Sequence, residues 1–575
     1  MSRKTHIILL LLAGFLLAHV KARGQNISEI AQSDPLIITG TIGTQNTYRY
    51  SSAGTEYGSP FSTMLYANMN VALYGISMPF AISYSNSNVE YNYPHLSLAF
   101  MPQYKDWTGY IGESTMAMSK YVMDMSFNGV GLEYEHNKFR TGAFYGILQK
   151  AINDDPSDPL ARTPQMKRVG WGFKVGYGTK KNYIDLYLLR AYDVASSIDE
   201  KWRESMAAQE NLVVGLKGCV TPFSWMSFTA NAAMSVFNTD KEAPKIVTDE
   251  TEDFDKIFTT RYSTLARFAG DASLNLSYGG VDASITYKFI QPDYKSLGTY
   301  YMSNNYHSLG VTMSTTLFNK VALSGTFSGQ SDNLTKEQLY TTNGYVYGLN
   351  AASRIGDHFA VTAAYSGYLQ NQSDGTMQVN DTTRVNRRMS SYTLTPQYAL
   401  DGETLGHTVA LSASYTENKD LNKFADGSSD VKSLALGASY DMEVKPWEVD
   451  FSVSLSHQLS KNTSARYTSD VCTFGASRSF LKEKNLKLSA TPSICYNEMK
   501  GDSKSMSIGG NLSATYTIKK DHAFSLQAGI NKYGDVNLSR TRSKLDDTDV
   551  NVTFSYAYTL PAFGIKRKAK APADE

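Results

Sequence analysis

From about residue 265 onward, apolar and polar side chains alternate with a period of two. Ala272, Leu274, Leu276 and Tyr278 alternate with Asp271, Ser273, Asn275 and Ser277, and Gly279-Gly280 then turns the chain. The return run sets Val281, Ala283, Ile285, Tyr287 and Phe289 against Asp282, Ser284, Thr286 and Lys288. Successive strand side chains point to opposite faces, so each run reads as a strand with one dry and one wet face. The next hairpin rises through Leu309, Val311, Met313 and Leu317, turns at Phe318-Asn319-Lys320, and returns through Val321, Leu323 and Phe327. Further turns fall at Gly356-Asp357-His358, Asp401-Gly402, Lys445-Pro446, Glu483-Lys484 and Lys520-Asp521, spaced by about 40 residues. Weaker turns precede them near Gly75, Lys105, Asn137, Lys180 and Pro222. Twelve turns give 24 strands; a first strand at Leu36 to Tyr50 and a last at Val550 to Leu560 bring the count to about 26, within a range of 20 to 26.

A repeat of this length also suits a β-propeller, whose blades hold four short strands. Here each repeat holds two strands of about ten residues, the length that crosses a bilayer core at roughly 45°. A soluble sandwich would share the alternation but place its apolar face inside. Short turns alternating with longer polar loops favour the inverted arrangement, as do aromatic residues at strand ends. Tyr278, Tyr287, Tyr415, Tyr440, Trp447, Tyr516, Tyr556 and Tyr558 are the expected interfacial girdle. The predicted fold is all-β: one large antiparallel transmembrane barrel over residues 36–563, with no separate plug domain, because alternation already starts at Leu36.

Composition agrees once half of each strand is assigned to a wet lumen. Mean hydropathy is -0.32 and 19% of residues are charged, which excludes a bundle of transmembrane helices. The 39 Tyr and 25 Phe exclude a disordered polyelectrolyte. Lys+Arg 55 against Asp+Glu 54 gives no electrostatic footprint for nucleic acid.

The N-terminus carries Arg3 and Lys4, then an apolar run from Ile7 to Ala18 that is too short to span a bilayer. Ala22-Arg23-Gly24 fits a signal-peptidase site, with cleavage between Gly24 and Gln25. Residues 1–24 are therefore the expected signal peptide and 25–35 a short periplasmic segment. Removal of four basic and no acidic side chains takes the formal net charge from +1 to −3. A tail with Lys566, Arg567, Lys568 and Lys570, residues 564–575, is expected to be periplasmic. The expected location is the outer membrane, with membrane lipid and the barrel-assembly machinery as partners.

The sequence contains no recognisable catalytic apparatus, metal centre or cofactor motif. His136, His358, His407 and His522 sit in or beside turns, without ligand spacing. Cys472 is in phase with Phe474 and Cys495 with Ser493, so the two thiols are expected on opposite faces of the sheet. The acidic run Asp249 to Asp255 lacks the regular spacing and glycine of a calcium loop and reads as a solvated extracellular loop. Inward positions carry both signs, at Asp271, Asp282, Lys288, Asp441, Glu443, Glu448 and Asp450. A selectivity ring would show one sign. The acidic members near turns point to a negative periplasmic mouth.

Three stretches resemble a family of large, mostly uncharacterised outer-membrane β-barrel proteins of the Bacteroidota. They are Phe127-Asn128-Gly129-Val130-Gly131 with Gly142-Ala143-Phe144-Tyr145-Gly146; Pro292-Asp293-Tyr294-Lys295-Ser296-Leu297-Gly298-Thr299-Tyr300-Tyr301 with Asn304; and Gly329-Gln330-Ser331-Asp332-Asn333-Leu334. The resemblance runs from about Leu36 to about residue 340 and implies fold and location but no settled activity. If Gly279-Gly280 is periplasmic, the second and third motifs lie together at the extracellular mouth. Tyr294, Ser296, Tyr300, Asn304, Gln330, Asp332 and Asn333 are then candidates for a gating or partner-binding rim. A barrel this wide needs something in it, so the leading expectation is a transport or export pore gated by loops or by an accessory plug or lipoprotein. The alternative is a non-conducting surface scaffold whose loops hold extracellular proteins. Neither reading is enzymatic.

Overall fold

The computed structural model describes residues 34–53, 60–74, 76–86, 95–153, 163–248, 255–481, 483, 485–501, 503–535 and 547–565. The signal segment with Gly24 and Gln25, the acidic run 249–254 and the tail from 566 lie outside these residues. Strands β1 (Leu36–Ser51) to β27 (Asp547–Ile565) form one antiparallel sheet of 27 strand segments. The sheet closes on itself, since β1 pairs with β27 from Leu36↔Ile565 to Ser51↔Asp549. The last strand thus runs two residues past the expected end of the barrel, through Gly564 and Ile565.

Two of the segments are halves of one wall strand. β4 (His95–Phe100) and β5 (Gln103–Tyr104) both pair with β3 (Ile76–Ser85) and β6 (Trp107–Ser114) in unbroken register across Met101-Pro102. Pro102 has no N–H for the ladder, which accounts for the gap. The wall therefore has 26 strands, an even number that brings both ends of the barrel to the same rim.

Tight turns line that rim. Gly279 and Gly280 both take positive φ, 60° and 79°, the paired left-handed geometry that matches the twist of a two-residue hairpin. The turn expected near Pro222 lies at Ser224-Trp225, since Phe223 still pairs with Met226. The longer connections all lie at the opposite rim, which marks it as extracellular and the tight-turn rim as periplasmic.

Faces are assigned as the alternation required. On β13 (Thr264–Tyr278), Phe268 is 50% exposed on the outside, whereas Asp271 points inward to a loop that enters the lumen. Exposed Leu, Ile, Val, Phe and Tyr side chains cover the outer wall strand after strand. Apolar surface on that scale is the mark of a membrane-embedded wall. Inward positions form hydroxyl ladders instead, such as Ser391–Thr416 at 3.0 Å, Ser433–Ser460 at 3.1 Å and Ser489–Ser513 at 2.7 Å. The chain is an outer-membrane β-barrel. Among the described residues no helix is long and apolar enough to cross a membrane.

The expected girdle residues that lie on strands all face outward, at two heights, and Trp447 sits exposed in the turn Lys445–Trp447. Near the periplasmic rim lie Tyr278, Tyr440, Trp447, Tyr516, Tyr556 and Tyr558, joined by Trp225, which sits edge-on to Tyr278. His407 and His522 belong here too: their Nδ1 atoms lie 2.8 Å from the Tyr440 hydroxyl and 2.9 Å from the Tyr556 hydroxyl. Higher on the wall are Tyr287 and Tyr415, the latter stacked near Tyr392. His407 and Tyr415 share one strand; eight residues span about 27 Å along it, or about 19 Å along the normal at a tilt of roughly 45°. Cys472 pairs with Ile494 on the outer face, while Cys495 contacts Ser469 and Asn497 on the inner face.

Candidate functional site

The largest buried cluster lies inside the barrel, where loops meet the wall. Two loops from the extracellular rim turn into the lumen: residues 115–126, which follow β6, and residues 291–305, between β14 (Val281–Ile290) and β15 (Tyr306–Leu317). Met116, Tyr121, Val122 and Met123 from the first loop and Tyr294 and Leu297 from the second are buried against lumen-facing Leu189, Val213, Ala233 and Ala269. These loops form an internal plug on one side of the barrel.

Hydrogen bonds fix the loops to each other. The Tyr294 hydroxyl donates to the Tyr121 carbonyl at 2.7 Å, and the Ser296 hydroxyl donates to the Val122 carbonyl at 2.6 Å. The Asp124 amide donates to the Gly298 carbonyl at 3.1 Å, and Met123 and Gly298 form a short parallel bridge. A side chain at Gly298 would collide with Leu189 and the Val122 carbonyl, so the approach of the two loops requires glycine.

Wall residues complete the anchor. Asn211 is fully buried; its carbonyl accepts the Leu297 amide at 3.0 Å and its amide donates to Ser235 at 2.7 Å. Ser119 donates to Asn231 at 2.8 Å, and the Tyr121 hydroxyl donates to Asp271 at 2.7 Å. Asp271 also takes an ion pair from Lys120 at 2.7 Å. The inward Asp271 is therefore neutralised by a loop rather than left to charge the lumen. Burial, and then the bond to Asp271, raise the Tyr121 hydroxyl well above the usual tyrosine range; burial does the same to Tyr294. The Lys295 ammonium, which donates to Gln209 at 2.9 Å, is lowered by burial and by the nearby Arg168 guanidinium.

The three sequence motifs converge here. Phe127 stacks on Phe144 at 4.5 Å, and this pair from the first motif is part of the wall cluster that buries Met116. The second motif is the inner loop itself. The third ends the strand Val321–Asp332 and turns at Asn333, whose amide N–H donates to the Asn305 carbonyl at 3.1 Å. The Asn333 side chain is buried and bonds Gln338, Tyr340 and Thr341, so it builds the corner and presents nothing to a partner. Asp332 accepts the Thr342 amide at 2.6 Å and is likewise occupied. Tyr294 and Ser296 are buried in the plug, whereas Tyr300, 74% exposed, and Asn304 stand at its surface. Gln330 is exposed on the lumen face of its strand.

The outer loop segment 115–126 was not legible as part of the site. The available signal was four methionines within ten residues, at 116, 118, 123 and 125, too apolar and too irregular for a solvated loop. The structure also gives the expected negative mouth a form. Glu443 and Asp450 are direct cross-strand neighbours near the periplasmic rim, beside Asp401, which is paired with Lys445. Among the described residues no group of three His, Cys, Asp or Glu side chains is arranged to hold a metal ion.

No family model and no curated protein matches the chain. Among solved structures it is similar to the translocation pore of the P pilus usher PapC, at 10% identity over 91% of this chain and 100% of that one, with a TM-score of 0.36. It is also similar to OccAB3 of Acinetobacter baumannii, at 9% identity over 62% and 93% of the two chains, with a TM-score of 0.30. A BenF-like porin from Pseudomonas fluorescens Pf-5 gives 11%, 62%, 92% and 0.31. Likeness of this degree is confined to barrel outline.

Proposed function

We propose that this barrel is a transport or export pore whose lumen is restricted by its own loops. The observation that carries the reading is the plug: two distant loops, joined by buried hydrogen bonds, pack against one side of the lumen wall, while hydroxyl ladders line strands elsewhere around it. Barrels of 16–18 strands already leave an aqueous channel, and those of about 22 hold a plug. A wall of 26 strands is wider still, so a loop plug or an accessory protein is needed to restrict leakage. A polar cargo suits the hydroxyl ladders: an oligosaccharide, or an exported chain in extended form. An accessory lipoprotein or surface protein would meet the plug at Tyr300 and Asn304.

Single-channel recording of the purified barrel in planar bilayers tests this. Wild-type protein should give small or intermittent steps, and removal of residues 292–303 should give large, long-lived ones. A correctly assembled deletion variant that stays silent would sink the pore reading and leave the scaffold.

A further inference from the structure

The outer wall of the strands from Asn386–Asp401 to Arg466–Phe480 carries an unusual row just above the upper tyrosines. Arg388, Lys419, Lys432, Lys461 and Arg466 all occupy outward positions at the extracellular ends of adjacent strands. Register makes them direct neighbours: Arg388↔Lys419, Lys432↔Lys461 and Lys461↔Arg466. Like charges directly opposite on a sheet are destabilising unless something of opposite sign sits on them. A single carboxylate, Glu417, serves both Arg388 at 3.6 Å and Lys432 at 3.4 Å.

Elsewhere in the same barrel several cations meet carboxylates that are themselves largely covered. Arg190 with Glu210 occupies an equivalent outward position on the far side and is covered by Phe258 from the loop after residue 255. On the lumen face, Arg140 with Asp185, Arg168 with Asp193 and Lys174 with Glu133 are paired likewise. The basic row stays open instead, with Lys432 62% exposed.

Below the row's first three strands, and from there along the wall as far as Met313, the lipid-facing surface is hollowed. Gly325, Ala351, Ala363 and Ala413 form a floor of small residues, walled by Tyr365 and Tyr392, whose rings lie 4.9 Å apart. The groove measures about 830 Å³ and is almost wholly apolar. Its upper edge meets the row through Tyr392 and Arg388, four residues apart on one strand and so about 13 Å along it.

We propose that this sector binds one phosphate-bearing, multiply acylated glycolipid of the outer leaflet, with phosphate on the basic row and an acyl chain in the groove. Cations alone would suit any anion, and an apolar groove alone would suit any chain. Their vertical order on a membrane wall, charge at the interface and groove at acyl depth, matches a lipid that carries both. The site is independent of whether the barrel conducts.

The test uses the full barrel in phosphatidylcholine nanodiscs doped with diphosphorylated or dephosphorylated lipid A, followed by mild extraction and native mass spectrometry. Wild-type protein should retain the diphosphorylated lipid and release the dephosphorylated one, a comparison that needs no variant. Each basic residue accounts for roughly fivefold, so K432Q/K461Q/R466Q should retain roughly a hundredfold less. Glu417→Gln should retain more, because it frees two cations. Ala363→Trp, which fills the groove, should also weaken retention. Equal retention of the two lipids, an assembled triple variant that retains as much as wild type, or full displacement by inorganic phosphate would each overturn the proposal.

Discussion

The phenolic hydroxyl of Tyr294 donates to the backbone carbonyl of Tyr121 at 2.7 Å, joining two loops 173 residues apart in the chain. Both side chains are buried, and their rings meet edge to face at 6.5 Å. An unpaired buried carbonyl costs about 1–3 kcal/mol, so Tyr294→Phe should loosen the plug by that amount. Leu297→Ala should loosen it further, by about 2–5 kcal/mol, since Leu297 is fully enclosed. Neither change touches the wall ladder. Bilayer recordings should therefore show longer open times, in the order Leu297→Ala above Tyr294→Phe, with unchanged heat-modifiable migration of the folded barrel. Equal open times in all three proteins would show that the loops do not restrict the lumen.

Asn333 should behave differently, although it lies in a motif of the same mouth. Its side chain closes the 333–341 corner, and its φ of 56° is left-handed. Asn333→Ala removes the side-chain bonds and adds roughly 1–2 kcal/mol of backbone strain, whereas Asn333→Gly removes the bonds alone. Hydrogen exchange over residues 334–341 should rise in both, more in the alanine variant. Channel opening should change little, because the bond that ties the corner to Asn305 is made by backbone atoms.

The wall was legible from sequence because alternation, turn residues and strand length all act locally. Leu274 against Asn275, or Gly279-Gly280 between two such runs, decides its own conformation with little help from distant residues. Closure and face followed from the same pattern. The plug was only half legible. Tyr294 to Tyr301 could be placed at the right mouth by counting strands, where an in-folded constriction and a partner-binding rim stayed equally open; the choice depends on Asn211 and Ser235 on other strands. The polarity of Asn333 suggested an outward-facing contact, whereas its bonds go to its own loop. Burial of a polar side chain depends on what folds over it, and no local pattern carries that information.

Titration of the plug gives a pH dependence with two limbs. Tyr121 and Tyr294 have raised values, so their stabilisation is complete below the ordinary tyrosine value of about 10 and is lost as pH rises past it toward their folded values. Lys295 has a lowered value, so the unfolded loop binds more protons than the folded one between that value and about 10.4. Over that interval its contribution to plug stability rises with pH. The plug should thus be tightest in mildly alkaline solution and open above about pH 10. Lys295→Met should flatten the rising limb alone, and Tyr121→Phe should weaken the falling one. Open probability measured across this range checks both.

The acidic periplasmic mouth should favour cations modestly. Glu443 and Asp450 face each other across two strands on the lumen side, and Asp450 also accepts the Ser477 hydroxyl at 2.9 Å. Asp401 beside them is paired with Lys445, whose ammonium is also held up by Glu443, and with Asp441 the four carboxylates of that group outnumber the one ammonium. In an aqueous lumen a charge at contact distance is worth about 1 kcal/mol or less, which limits the preference to under about fivefold. Glu443→Gln with Asp450→Asn should move the reversal potential under a potassium chloride gradient toward zero. The shift should be largest at about 0.01 M salt, where the Debye length is about 30 Å, and nearly vanish at about 1 M, where it is about 3 Å. A reversal potential unaffected by the double change at low salt would mean that ions do not pass this arc of the wall.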